Sequence, residues 1–191
     1  LATVATNIHR LWELHADVKA TQLVFIDLGT PGKNKEFSTY TYLKDRLIEL
    51  GVPAGEVAFI HDAKNNNAKE ALFAQVRAGE KRVLIGSTEK MGVGTNVQDR
   101  LCALHNVDCP WRPADIEQRI GRIDRQGNLY FNEVEEYRYT TQDSFDLFMW
   151  ETNKRKATFI AQALSDPNSA GRDVSEEMDL GYAEVMAVTT G

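Results

Sequence analysis

Cysteine is scarce in this sequence: Cys102 and Cys109 are the two present in 191 residues, and they do not form a C-x-x-C pair. A disulfide framework is thereby excluded as the source of stability, and two free thiols in a reducing compartment are expected. Long hydrophobic runs are missing as well. Nothing comes near the roughly 20 apolar residues that a membrane span needs, so no membrane partner is expected. Residues Leu1 to His15 have neither the charged start nor the apolar centre of a secretory signal, which makes the cytoplasm the expected compartment. Positive charge is the third shortage. Lysine and arginine number 22 against 28 acids, a net charge of -6. A surface cationic all over is therefore excluded, and any nucleic-acid contact has to come from a local cluster. The acids gather late: six lie between Glu133 and Glu151 against Arg138 alone, and six between Ser165 and the end against Arg172 alone. They read as solvated faces that would repel DNA. Internal repeats are lacking too, and the chain opens on Leu1 instead of Met, as expected of a piece of a longer protein.

What is present is the composition of a globular domain long enough to bury a core. Helical spacing of Ala5, Ile8, Leu11, Trp12 and His15 precedes a short apolar run, Leu23 to Leu28, closed by Gly29, Thr30, Pro31 and Gly32, the pattern of a buried strand. Helices are expected over Phe37 to Leu50, stopped by Gly51 and Pro53, and over Ala68 to Ala78, ended by Gly79. Strands are expected over Val57 to Ile60, Val83 to Ile85 and Leu101 to Val107. Pro113 to Arg125 reads as a helix with proline in its first turn, and Val134 to Tyr139 as an alternating strand. Phe145 to Leu164 reads as a long helix that turns Phe145, Phe148, Met149, Phe159, Ile160 and Ala163 inward. Strands alternating with helices imply an α/β fold of three layers, a mainly parallel sheet covered on both faces. Ligands are then expected where loops leave the carboxyl ends of the strands.

Phosphate-binding loops are the first thing to seek there. The run Gly29-Thr30-Pro31-Gly32-Lys33-Asn34 follows a strand and offers Gly-Lys, but Asp27 and Asn34 stand where a P-loop needs its first glycine and its hydroxyl. A Gly- and Pro-rich turn describes it better. Gly92-Val93-Gly94-Thr95-Asn96-Val97 partly mimics a dinucleotide fingerprint, yet Val97 holds the place of the third glycine. Ser87 and Thr88, directly after the strand, are hydroxyls able to donate to phosphate. Gly92 and Gly94 would let a backbone press against a ligand where a Cβ would collide.

The stretch Gln118-Arg119-Ile120-Gly121-Arg122-Ile123-Asp124-Arg125 adds cations. On a helix Gln118, Arg122 and Arg125 share an arc of roughly 60°, with Glu117 and Asp124 on the other side. Gly121 clears space beside Arg122. Two guanidiniums one turn apart match a polyanion such as a nucleoside triphosphate, because each is a rigid planar fork. The plainer alternative is a surface helix with ion pairs such as Asp115 to Arg119.

Val107 to Pro113 followed by Ala114 to Gly127 resembles the sixth motif of superfamily 2 helicases with its preceding strand, and Gln118, Gly121, Arg122 and Arg125 fall on its Q-x-x-G-R-x-x-R pattern. Gly86 to Gln98 is similar to the fifth motif in its Swi/Snf-like form, and Leu23 to Leu28 with Val57 to His61 resemble motif IV and the strand after it. More narrowly, "GSTEKMGVGTNVQDRL", "DCPWRPADIEQRIGRIDRQGN" and "SFDLFMW" look like the helicase part of large phage and mobile-element proteins that join such a motor to an adenine DNA methylase.

The resemblance implies a C-terminal RecA-like lobe over residues 21–165, preceded by an N-terminal helix in residues 1–20 and followed by a linker and tail helix in 166–191. It implies ATP with Mg²⁺ held jointly with a first lobe that this chain lacks, and a bacterial, phage or mobile-element cytoplasm. Arg122 and Arg125 would be arginine fingers, Gln118 would order the interface, and Gly94 and Asn96 would approach the ribose and attacking water, with Gly92 and Gly121 beside the nucleotide. Ser87, Thr88 and Lys90 would touch phosphates of double-stranded DNA, and a methylase domain would be a further neighbour in the parent chain. Departures are Thr95 in place of an aliphatic residue and Arg112 in place of the usual Asn, which leaves Arg112 to contact either DNA or the other lobe.

Neither a P-loop lysine with its hydroxyl nor an Asp-Glu pair after a strand is visible, and no metal site of the chain's own is expected, so inactivity alone is the expectation. Two other classes stay open: a degenerate lobe that binds nucleic acid or a partner without turnover, and a dinucleotide-binding domain. His61 and His105 read as structural, and Trp111 as a buried anchor of the helix start in preference to a base-stacking residue.

Overall fold

The computed structural model describes residues 1–31, 38–92, 96–121, 127–140 and 145–165. They form two units, one of Leu1–Asp108 with Ile116–Tyr139, the other of Cys109–Asp115 with the chain from Thr140 onward.

The first unit holds strands β1 (Thr21–Phe25), β2 (Val57–Phe59), β3 (Val83–Gly86), β4 (Leu101–Asn106) and β5 (Glu135–Arg138). They make one sheet in the order β2-β3-β1-β4-β5, and every pairing is parallel. The expected α/β architecture is therefore present. Helices α1 (Ala2–Leu14), α2 (Thr39–Glu49), α3 (Asn66–Arg77) and the short α4 (Thr88–Gly92) belong to this unit. α5 (Pro113–Ile120) starts in the second unit and ends in the first, and α6 (Phe145–Ser165) lies in the second.

β1 is buried on both faces, as a central parallel strand must be. Alternate residues feed two cores. Val24 and Ile26 pack with Val4, Ala5 and Ile8 of α1 and with Tyr40, Leu43 and Leu47 of α2. Leu23 and Phe25 pack with Phe73 and Val76 of α3 and with Met91. Each such side chain, fully buried, is worth about 1.5–3 kcal/mol. Gly79 lets α3 stop: its φ is +75°, and a Cβ there would sit 2.8 Å from that of Lys19.

The strand begins two residues before the apolar run that marks it. Thr21 and Gln22 are wholly buried polar residues, and the Gln22 amide is matched: Nε2 donates to the Ile8 carbonyl at 3.0 Å and Oε1 lies 2.9 Å from His105 Nε2. At the other end Asp27 and Leu28 leave the ladder, because their N–H groups turn to the Asp108 carboxylate, at 2.6 and 2.8 Å.

Several expectations need correction. Trp111 is 69% exposed, with its ring 6.2 Å from that of Phe145, and is not a buried anchor; in α6 Phe145 and Ile160 are 37% and 49% exposed whereas Trp150 and Asn153 are buried. The buried stripe of α6 thus includes Met149, as its spacing suggests, but not Phe145 and Ile160. The turn after β3, expected as a loop, contains α4. The tail helix expected beyond residue 165 and the end of the helix expected to run to Arg125 lie outside the described residues. Cys102 and Cys109 are free thiols, and burial pushes Cys102 up to about 12. His105 is buried beside the Tyr137 and Tyr139 rings, with Nδ1 2.8 Å from the Tyr139 hydroxyl. Burial, aided by Arg10, pulls its pKa down to about 3, so it is neutral in the fold.

Candidate functional site

The chain leaving β1 runs to β2 on one side and the chain leaving β4 runs to β5 on the other. The crevice of a parallel sheet opens where such connections diverge, here between the carboxyl ends of β1 and β4. Asp27 follows β1 and Asp108 follows β4, and between them lies the guanidinium of Arg119 from α5. Its Nη2 donates to Asp27 Oδ2 at 2.7 Å and to Asp108 Oδ1 at 3.1 Å. Nη1 donates to Asn106 Oδ1 at 3.0 Å and to the Asp108 carbonyl at 2.9 Å, and Nε to Thr88 Oγ1 at 2.8 Å. The Phe25 ring centroid is 5.2 Å away. Two carboxylates to one guanidinium would leave excess negative charge, but the Asp27 and Leu28 N–H groups also face Asp108. Burial still pushes the Asp108 carboxyl above the usual carboxylate range, against the pull of those N–H groups and of Arg119.

Thr88 closes the cluster. Its N–H donates to Asp27 Oδ1 at 2.6 Å, and its hydroxyl donates to Asp27 Oδ2 at 2.8 Å while accepting from Arg119. Ser87 is buried beside it, its hydroxyl accepting from the Lys90 N–H at 3.3 Å. Lys90 is exposed, and its carbonyl takes the Lys69 ammonium at 2.6 Å. Gly92 ends α4. Asn96 is exposed, its carbonyl held by Arg77 at 2.8 Å. Gln118 is half-buried on α5, and the exposed Gly121 closes that helix with its N–H on the Glu117 carbonyl at 2.7 Å. Gly94, Arg122 and Arg125 lie outside the described residues.

The structure thus brings the Ser87–Lys90 turn and α5 together around Arg119. In the second unit, Arg112 is 77% exposed and forms a two-pronged pair with Asp115, Nε to Oδ2 at 3.0 Å and Nη2 to Oδ1 at 2.9 Å. Asp115 therefore serves Arg112, and the surface pair Asp115 to Arg119 does not form. His61 follows β2 half-buried, its ring 5.2 Å from that of Tyr40, and burial and Lys90 lower its pKa.

Arg119, Asp27 and Asp108 are the residues that sequence reasoning missed. The available signal was positional: Asp27 and Asp108 each sit just past a buried apolar strand, and a parallel sheet gathers such positions at one rim. As for a nucleotide, Arg119 has no donor left to offer a triphosphate. Among the described residues no group of three or more His, Cys, Asp or Glu is placed to hold a metal ion, and no helix is long and apolar enough to cross a membrane.

Two curated proteins are similar. One is the "Defense against restriction protein B" of Escherichia phage P1, 33% identical over 100 residues, which are 52% of this chain and 4% of that protein. The other, from Bacillus subtilis (strain 168), is described as an uncharacterized ATP-dependent helicase, YqhH. It is 33% identical over 130 residues, 65% of this chain and 22% of its own length. The chain thus spans a small part of the curated relatives it matches. Among solved structures, the Mss116p DEAD-box helicase domain 2 bound to an RNA duplex matches with a TM-score of 0.59 at 15% identity, covering 81% of this chain and 54% of that one. The helicase MrfA bound to DNA matches at 0.53 and 10%, covering 79% and 20%. At these identities the structures establish a shared fold. Residues 24–127, more than half of the sequence, match the helicase conserved C-terminal domain, and the chain belongs to that family.

Proposed function

We propose that this chain is the second motor lobe of a Swi/Snf-like, DNA-dependent ATPase of superfamily 2, a helicase or translocase that is catalytically incomplete without its first lobe. The lobe proper spans residues 21–165, led by the helix in 1–20 and followed by a linker and tail in 166–191. Mg²⁺-ATP lies between the two lobes. Arg122 and Arg125 reach its β and γ phosphates, Gln118 orders the interface, and Gly92, Gly94, Asn96 and Gly121 let the backbone approach the nucleotide. Forks aimed at charge that develops during phosphoryl transfer contribute about 10³ to 10⁵ in rate. Ser87, Thr88, Lys90 and Arg112 meet duplex DNA. Because the Thr88 N–H and hydroxyl are already committed to Asp27 and Arg119, its contact to phosphate would need a rearranged hydroxyl.

The observation that carries this reading is the commitment of Arg119. α5 is held at the carboxyl rim of the sheet by a guanidinium that has no donor left over. A triphosphate approaching this helix must therefore be met by residues past Gly121, where the sequence supplies two further arginines in helical register. Membership of the helicase C-terminal domain family and the likeness to an ATP-dependent helicase support the nucleotide. The DNA-bound neighbour supports the track, and the phage relative supports a phage or mobile-element setting; a methylase domain elsewhere in the longer chain is carried by the sequence resemblance alone.

The test is ATP hydrolysis by the longer protein with and without duplex DNA, beside the 191-residue chain alone. DNA-stimulated turnover by the former and none by the latter is expected. Robust turnover by the isolated chain contradicts the assignment, nucleotide binding without hydrolysis by the longer protein favours a non-catalytic partner-binding lobe, and binding of NAD favours a dinucleotide domain.

A further inference from the structure

On its way from α4 to β4 the chain is held by α3 at two backbone carbonyls. Lys69 Nζ donates to the Lys90 carbonyl at 2.6 Å, and Arg77 Nη1 donates to the Asn96 carbonyl at 2.8 Å. Lys69, Phe73 and Arg77 recur every four residues and so follow one face of the helix. Met91 and Val97, each next to a held carbonyl, are buried with Phe73 and Val76 in one core. At Asn96 the hold runs both ways, because Arg100 Nε donates to the carbonyl of Arg77, the last residue of α3, at 3.1 Å. Glu70 aims the Arg77 fork, its Oε1 accepting from Nη2 at 2.7 Å.

Asn96 is exposed, so water can satisfy its carbonyl and the bond from Arg77 adds little to the stability of the fold. Its effect is on orientation. Burial of the Val97 side chain fixes one Cα but leaves the Asn96–Val97 peptide plane free to turn. A charged donor on the carbonyl stops that rotation, and with it the swing of the Asn96 side chain. We propose that Arg77, aimed by Glu70, is a positioning residue that sets the direction in which Asn96 meets the nucleotide. The inference rests on the motor reading above, in which Asn96 approaches ATP. Lys90, assigned there to DNA, keeps its own tether to Lys69, so a change at Arg77 acts on turnover and not on DNA contact.

The test uses the longer protein, with ATP turnover measured against duplex DNA concentration up to saturation. Arg77→Met removes both donors and keeps an apolar stem over α3. Its turnover number at saturating DNA falls by about 3- to 30-fold, while the DNA concentration for half-maximal stimulation stays within about twofold of wild type and the thermal midpoint is unchanged. Arg77→Lys, whose ammonium reaches one of the two acceptors, regains part of the loss. In an Asn96→Ala background the same Arg77→Met change alters turnover by less than about twofold, because the side chain it aims is gone. A purely structural role would lower the thermal midpoint and cost the same factor in both backgrounds. Unchanged turnover in Arg77→Met, or an equal loss in both backgrounds, overturns the positioning role and leaves the motor assignment standing. Absence of DNA-stimulated turnover in the wild type overturns the assignment and the positioning role with it.

Discussion

Replacing Arg119 by methionine tests whether the buried cluster at the rim exists in solution. Methionine refills most of the volume over Phe25, so cavity formation is a minor part of the cost. The loss is electrostatic. Asp108, 7% exposed, keeps two backbone donors but no cation, the wholly buried Asn106 loses the guanidinium on its side-chain oxygen, and Asp27 retains Thr88 alone. Removing one partner of a buried ion pair costs about 3–5 kcal/mol. Asp27 is one-third exposed and partly recovers water, which places the expected loss near the lower bound, about 3 kcal/mol. For a chain of this size that lowers the melting temperature by roughly 6–12 °C. The assay is urea denaturation of the 191-residue chain followed by far-ultraviolet circular dichroism. A triple variant, Arg119→Met with Asp27→Asn and Asp108→Asn, removes the stranded charges and should regain half or more of the loss. A cost below about 1 kcal/mol, the value of a solvent-exposed pair, would refute the geometry, as would a triple variant weaker than the single one.

His105 gives a pH signature. Its folded pKa of about 3 lies below the ordinary value of 6.5, so between these values the unfolded chain binds the extra proton, and stability present above pH 6.5 is lost as the pH falls toward 3. From pH 7 to pH 5 this one group costs about 2 kcal/mol. His105→Gln should lack that component in parallel denaturation curves, and equal acid sensitivity in both proteins would contradict a neutral buried ring. Gly86→Ala would place a Cβ 2.5 Å from Ile60 Cγ2 and 2.6 Å from Met91 Cγ. The overpacking should cost about 1–3 kcal/mol in the same urea assay, and a neutral substitution would mean that β3 and α4 are packed less tightly.

Much of this architecture was legible because parallel strands announce themselves as apolar runs between turn residues. β3 and β4 were found to within a residue of their ends, since Val83-Leu84-Ile85 and Leu101 to Leu104 have no competing pattern. β1 was placed two residues late because Thr21 and Gln22 look like surface residues until Ile8 and His105 are known to meet the Gln22 amide. In α6 Met149 is buried as its spacing suggests, but Phe145 and Ile160, large and apolar, are exposed, whereas Asn153 lies inside, its Nδ2 donating to the Pro110 carbonyl at 2.6 Å. At the site, local spacing misled: Asp115 and Arg119 are four apart on a helix, which suggests a surface pair. Asp115 instead meets the exposed Arg112, while Arg119 crosses to partners 92 and 11 positions away in sequence. Helical periodicity shows which residues share a face, but it carries no information about which distant strand ends that face will meet. Gln118 falls on α5, whose start the proline at its first turn marks, whereas Gly121 stands one residue past the end of that helix.

The claim on which the functional account depends is that Arg122 and Arg125 complete a triphosphate pocket belonging to another lobe. It is tested most directly by DNA-stimulated ATP hydrolysis in the longer protein carrying Arg122→Ala or Arg125→Ala, with circular dichroism to verify the fold. Either substitution should reduce turnover by about 10³-fold or more with the spectrum unchanged. Near-normal turnover in both variants would contradict the account.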